Sequence, residues 1–379
     1  MRTTIAYLAI LAALFATRLN AAELLFNTAV TYTGSDGTRR IHNFSQSSGA
    51  LVENRFDGST WQWIDHPAPS DKFGSNLPVA LTWEEDGTQR IYVFAIAGNG
   101  HRFVTRYFNG TQWDWAQLPT ASYLSLTKFA ALTYVDELGK RRIELFGIND
   151  PGTFNGLVRT WWDGSAWHTQ AIYPMAQAHV GRPVAVTFSE KGAPRIEVFC
   201  TVDQFGRTEG SLYSYSLQRG TWRWKDLGFQ DFRPRSAITF KDAGDPRHIQ
   251  LFGHKTDHSL TMYDWDGTSW TLLDLGKPGS LPAPDVAPIT YMSEGGLRQT
   301  FLATTYDDRL YFKRRDGTSW SSYASFPPGT QFANDPTWIF YPDPRSGNDN
   351  LQMFVSSADG LMRHRWNGTN WQSYDQGAP

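Results

Sequence analysis

A phrase of the form Asp-Gly-x-x-Trp recurs seven times along the 379 residues. It starts at Asp57, Asn109, Asp163, Asp266, Asp316 and Asn367, and at Arg219 in a copy one residue shorter. The tryptophans that close it are Trp61, Trp113, Trp167, Trp222, Trp270, Trp320 and Trp371, separated by 52, 54, 55, 48, 50 and 51 residues. Asp-Gly and Asn-Gly admit the positive φ that tight hairpins require, so each phrase joins two antiparallel strands and its tryptophan opens the second. Two further extended runs precede each turn. In the second unit they are Val79–Trp83 and Arg90–Phe94, in the third Ala131–Tyr134 and Arg142–Phe146, in the fourth Val184–Phe188 and Arg195–Phe199. β-branched and aromatic residues dominate these runs, and none is long enough for a helix.

Each unit therefore reads as a four-stranded antiparallel meander. Four strands bury too little apolar surface to stand alone, so the units must pack on one another. Radial packing of seven such sheets predicts an all-β, seven-bladed β-propeller. The rival, an open β-solenoid, has shorter repeats without this meander. The repeat overrides the two or three domains that length alone suggests, leaving one domain over residues 23–379. Whether an N-terminal strand at residues 23–27 completes the last blade is open at this stage.

Residues 1–22 read as a secretory signal peptide: Arg2 supplies the positive start, Ile5–Ala16 is an apolar run too short to span a bilayer, and Ala21 and Ala22 suit cleavage. A secreted, extracellular protein is expected, with no membrane insertion. The net charge of −2 and the scattered lysines and arginines argue against nucleic acid as a partner. Cys200, the single cysteine, reads as a buried inert thiol. Sequons occur at Asn43, Asn109 and Asn367, the last two at the turn position where other units carry Asp.

Nucleophile elbows, phosphate loops and Cys/His clusters are missing from the sequence, and no cofactor or metal is expected. His254 and His258 are four apart, but on a loop, where that spacing does not place them on one face. What recurs is a sugar-binding kit of aromatic planes for C–H faces and charged groups for paired hydroxyls. Blade one offers Glu53 with Trp63, blade two Arg90 with Trp115, and blade three Glu144 with Arg159 and Trp161. Blade four offers Arg195 and Glu197 with Trp224, and blade seven Arg363. Against this stands a plainer reading: a tryptophan present in every unit is a wedge between sheets, and the Arg ahead of Ile-x-Val-Phe pairs with the adjacent blade. Trp63, Trp115 and Trp224 occur in three units only, which is unlike a core position.

At these residues the chain resembles the propeller lectins. The stretches Arg195–Phe199, Gly210–Tyr213, Gly220–Trp224 and Leu227–Gly228 are similar to the repeat of seven-bladed bacterial fucose-binding lectins, as are Leu351–Phe354, Asp359–Leu361, His364–Trp366 and Trp371. Gly49–Glu53 followed by Asp57-Gly58 resembles the fungal fucose-specific lectins, in which a strand Glu, an Arg on the preceding strand and a Trp hold the sugar. Blade one alone keeps that Glu; the other blades hold Thr105, Arg159, Tyr215, Met262, Phe312 and Arg363. The Arg position holds His42, Tyr92, Glu144, Glu197, Gln250, Thr300 and Gln352, so in blade three the charges are exchanged. The motif also resembles the Asp-box of sialidases, offset by one residue. The resemblance implies a secreted carbohydrate-binding protein of fucose-lectin type with glycans as partners and several weak sites. A propeller polysaccharide lyase or glycosidase, and a non-catalytic protein scaffold, are the alternatives.

Overall fold

The computed structural model describes residues 24–47, 49–67, 78–98, 101–119, 124–125, 129–149, 156–172, 178–204, 210–218, 220–241, 247–280, 282–292, 297–317, 319–326, 332, 336–342, 349–357, 360–368 and 370–379. Residues 1–22, where a signal peptide is expected, lie outside them. Seven antiparallel sheets form, each from consecutive strands. The first strands of neighbouring sheets touch one another in chain order, and that of blade one (Leu24–Thr33) also packs on that of blade seven (Thr337–Pro342). This is a closed seven-bladed propeller. Blade four gains a short strand at Ala178–Val180 and blade six one at Ala324–Ser325. Among the described residues no helix is long and apolar enough to cross a membrane.

Among the described residues, closure uses no exchanged strand. Leu24–Thr33 pairs with Arg39–Ser47 inside blade one, and the four strands of blade seven all come from the C-terminal end of the chain. Side chains join the two blades instead. The Trp63 indole donates to the Gln376 carbonyl at 2.9 Å, and Asn27 Nδ2 reaches Ser356 Oγ at 3.5 Å.

The core lies in the seams between blades. In every seam the motif tryptophan meets a phenylalanine on the second strand of the preceding blade: Trp61 on Phe354, Trp113 on Phe44, Trp167 on Phe94, Trp222 on Phe146, Trp270 on Phe199, Trp320 on Phe252 and Trp371 on Phe301. Centroids lie 5.8–6.4 Å apart with rings 60–89° to each other, the edge-to-face geometry that aromatic quadrupoles favour. The seven phenylalanines are buried to 1% exposure or less. The wedge reading of the motif tryptophan is therefore the correct one. Because each sheet is covered on both faces, its second strand is buried continuously (Arg39–Ser47 past its first two residues), while an outer strand such as Thr221–Gln230 alternates with solvent.

The motif turn has its own logic. Asp57 Oδ1 accepts from the backbone NH groups of Ser59 and Thr60 and from the Ser59 hydroxyl, and Asp163 and Asp266 repeat the pattern. These hydrogen bonds favour the ionised form and hold the Asp57 carboxyl well below its usual range. Gly58 sits at φ 104°, and a Cβ there would lie 1.9 Å from Thr38 Cγ2, so glycine lets this turn rest on the neighbouring hairpin of its own blade. Asn109 uses the same Oδ1 acceptor geometry, toward Thr111 and Gln112, so its sequon serves the turn. Asn367 accepts from the Asn370 NH in the same way. Asn43 is fully buried, which places its amide out of reach of a glycosylating enzyme in the folded blade. Cys200 is also fully buried, and burial pushes its thiol pKa up.

Candidate functional site

Each blade turns twice on one face of the ring, between its first and second strands and between its third and outer strands. On that face a cleft of 1090 Å³ opens between blades three and four. Its floor comes from the second strand of blade three (Arg141–Ile148) and the third (Leu157–Trp162). Glu144 lies opposite Trp161 in the register, and Phe146 lies opposite Arg159, so the four side chains share one face. That places Glu144 diagonally across from Arg159. The guanidinium takes the carboxylate in a fork, Nε to Oε2 and Nη2 to Oε1, both at 2.7 Å. Tyr134 adds its hydroxyl to Oε1 at 3.3 Å.

Arg159 is held between two indoles, 4.1 Å from the Trp161 ring and 4.7 Å from that of Trp222, the wedge of blade four. Trp161 also stacks on His168 at 5.2 Å. Glu144 is 1% exposed. Burial raises its pKa, and the hydrogen bonds from Arg159 offset only part of that. Burial likewise raises the Tyr134 hydroxyl, with the Glu144 charge adding to it.

Blade four supplies the opposite wall. Arg195 donates to Glu197 Oε1 at 2.9 Å and to Glu190 Oε2 at 2.8 Å. Arg142, at the rim, donates to Asp136 Oδ2 at 2.7 Å. The described lining residues include four carboxylates (Asp136, Glu137, Glu144, Glu190) and five cationic side chains (Arg142, Arg159, Lys191, Arg195, Arg223). The charges are nearly balanced and largely pre-paired. Such a surface suits a neutral polyol, whose hydroxyls both donate and accept toward ionic groups. Leu138, 78% exposed, and the Trp161 ring add apolar surface.

Glu144, Arg159, Trp161 and Arg195 thus come together. Glu197 is buried behind Arg195 and faces a smaller cleft of 100 Å³ toward blade five. Other expected members are placed elsewhere. Arg90 bonds the Asn109 carbonyl and pairs with Glu85 at 3.5 Å, both in its own blade. Arg142 and Arg195 do likewise, so the Arg ahead of Ile-x-Val-Phe serves its own hairpin rather than the adjacent blade. The indole NH of Trp115 donates to the Pro67 carbonyl at the end of blade one, as Trp63 donates to Gln376 at the end of blade seven. Trp224 packs into the seam beside Tyr215, at 4.7 Å. Trp63 and Trp115 thus tie neighbouring blades together, although they are absent from other units.

Glu53 has no open side. It is fully buried, with His42 Nδ1 at 2.5 Å from one oxygen and His66 Nε2 at 2.7 Å from the other. Arg106 donates to His66 Nδ1 at 3.3 Å, which leaves Nε2 as the donor to Glu53. His66, on the outer strand, thus covers the second oxygen of Glu53. Burial pushes the Glu53 carboxyl up, but the imidazole hydrogen bonds outweigh it and bring it down to about 2. A depressed carboxyl stabilises the fold above its unfolded pKa, and that contribution drains away as pH falls through the folded value. From 4.5 to about 2 the loss is on the order of 3 kcal/mol. Urea titrations across that range are expected to show a shallower acid decline in Glu53→Gln than in the parent. Parallel declines would remove Glu53 as the cause.

Three neighbours were legible only in three dimensions: Tyr134 on the first strand of blade three, Asp136 just beyond that strand, and Trp222 of blade four as the second cover of Arg159.

No family model matches the chain, and no curated protein matches its sequence. Solved structures do match its shape. A fucose-specific lectin from Aleuria aurantia superposes with TM-score 0.52 at 17% identity, over 79% of this chain and 96% of that one. A mutant of AofleA from Arthrobotrys oligospora gives 0.55 at 16% identity, over 82% and 89%. Polysaccharide lyase Uly1 gives 0.51 at 10% identity, over 87% and 86%. Identities this low establish a shared propeller fold, which lectins and enzymes both use.

Proposed function

We propose that this chain is a secreted, lectin-like carbohydrate-binding protein whose principal site is the cleft between blades three and four, taking a neutral saccharide with adjacent hydroxyls. The Glu144–Arg159 pair under Trp161 and Trp222 carries the reading: a forked charge pair at the base of an open, aromatic-edged cleft is preorganised for hydroxyls. The likeness in shape to fucose lectins makes fucose the first sugar to test. Secretion rests on residues 1–22, and N-terminal sequencing of the exported protein tests it. Single sites of this kind bind weakly and gain through multivalent contact with a glycan surface.

The test is a glycan array followed by competition with free monosaccharides. Binding to neutral glycans is expected, inhibited by one sugar class and weakened about tenfold or more in Glu144→Gln, with the unfolding midpoint little changed. Silence of the parent on a broad array, or an unaltered Glu144→Gln profile, would count against the site. New reducing ends or ultraviolet absorbance on a polysaccharide would point to an enzyme instead.

A further inference from the structure

We propose that the seam between blades seven and one is a second saccharide site, selective for a sugar carrying a carboxylate or sulfate group. The proposal rests on the same reading of the ring as a saccharide binder. In the register, Gln352 lies opposite Arg365 and Phe354 opposite Arg363, just as Glu144 lies opposite Trp161 and Phe146 opposite Arg159. Tyr341 pairs with Asn350 as Tyr134 pairs with Arg142. Blade seven therefore repeats the blade-three arrangement position for position. The arginine is kept, again beside the wedge of the next blade: the Arg363 guanidinium lies 5.0 Å from the Trp61 ring and 4.3 Å from that of Tyr374. The tyrosine is kept as well, now receiving a hydrogen bond from Gln352 Nε2 at 2.8 Å.

What differs is charge. The carboxylate of Glu144 becomes the amide of Gln352, and Trp161 becomes Arg365. A cleft of 230 Å³ opens over these residues, near the lower end of small-ligand pockets of roughly 300 Å³. Its described lining includes Arg39, Arg363 and Arg365 and no carboxylate. The blade-three cleft sets four carboxylates beside its cations, whereas the described lining of this one holds none. Arg365 Nε donates to Asn350 Oδ1 at 2.9 Å, a neutral acceptor. Arg363 Nε and Gln352 Oε1 are both buried without a hydrogen-bond partner among the described residues. Burial, with Arg365 close by, pulls the Arg363 pKa down while leaving it a cation. A half-buried guanidinium facing no carboxylate among the described residues is what an oxyanion satisfies, and the idle amide oxygen can receive a hydroxyl from the same sugar.

Titration calorimetry on the whole chain tests this with two pairs of probes: methyl glucuronide against its methyl ester, and galactose 6-sulfate against galactose. At least one charged member is expected to bind about tenfold or more tightly than its neutral partner, with an affinity that falls as salt is raised. The two pairs separate a carboxylate preference from a sulfate preference. Arg363→Gln should erase the difference. Gln352→Glu should erase it too, since it gives Arg363 the partner that Arg159 already has. That variant keeps every arginine and copies an arrangement that folds in blade three. The proposal is overturned if both charged sugars bind no better than their neutral partners, if the difference survives in Gln352→Glu, or if free sulfate or acetate binds while the charged sugars do not. Glu144→Gln reads the blade-three site separately: losing neutral-sugar binding there leaves the charged-sugar difference intact, so the two readings fail independently.

Discussion

Trp167→Ala lowers the free energy of unfolding by about 3–5 kcal/mol. The indole crosses from the outer strand of blade three to blade two, where its ring meets Phe94 edge-to-face at 6.1 Å. It also packs on Trp162 at 5.8 Å and joins a cluster with the fully buried Phe94, Ile96, Phe103 and Leu145. Truncation leaves a gap across a seam whose two walls are rigid sheets, so little collapse compensates. The denaturant midpoint should fall while the slope holds, because a similar surface is exposed on unfolding. Gln170→Ala, on the same strand but facing solvent, should stay within about 0.5 kcal/mol of the parent. A Trp167→Ala loss below about 1 kcal/mol would mean the seams are not what holds the ring together.

Arg159→Ala should cost a similar amount, about 3–5 kcal/mol, for a different reason: it strands a buried carboxylate. Glu144 is 1% exposed and loses both short hydrogen bonds. The double variant Arg159→Ala/Glu144→Gln should recover much of the loss, and a non-additive cycle is the diagnostic result. Removing Arg159 also leaves burial opposed only by Tyr134 and Arg142 on a carboxyl whose pKa is already raised. A raised folded pKa means the folded state holds its proton more tightly than the unfolded chain. The contribution of such a group is complete below the unfolded pKa, near about 4.3, and is lost as pH rises through the folded value. Arg159→Ala should therefore be least damaging near pH 4 and increasingly damaging toward neutrality. A penalty that does not vary with pH would show that Glu144 is not the stranded group.

The blades were legible because they are local. Each turn, each strand and each wedge tryptophan lies within one unit, and repetition confirms what a single copy only suggests. The exchanged pair Glu144 and Arg159 was legible for the same reason, since adjacent strands of one hairpin fix their diagonal. The receiving phenylalanines were hidden by sequence distance: Phe94 lies in one blade and Trp167 in the next, although a phenylalanine at the same slot in every unit was a signal that could have been read. The inter-blade bonds of Trp63 and Trp115 left no trace beyond their irregular occurrence. Their indole NH groups meet backbone carbonyls, and a carbonyl is present whatever the residue, so the acceptor leaves no trace in the sequence. The burial of Glu53 was hidden as well, because His66, which hydrogen-bonds its carboxylate, lies thirteen residues on in another strand.

The junction of the first and last blades carries a mechanical meaning. Six joints of the ring are bridged by continuous polypeptide; the seventh is fastened by an indole, an amide and interleaved rings, with no strand passing through it among the described residues. It is a bracelet without a clasp. The arginines of blade seven face blade one across that same gap, so a molecule gripped there would act as a removable pin, coupling occupancy to the integrity of the whole circle.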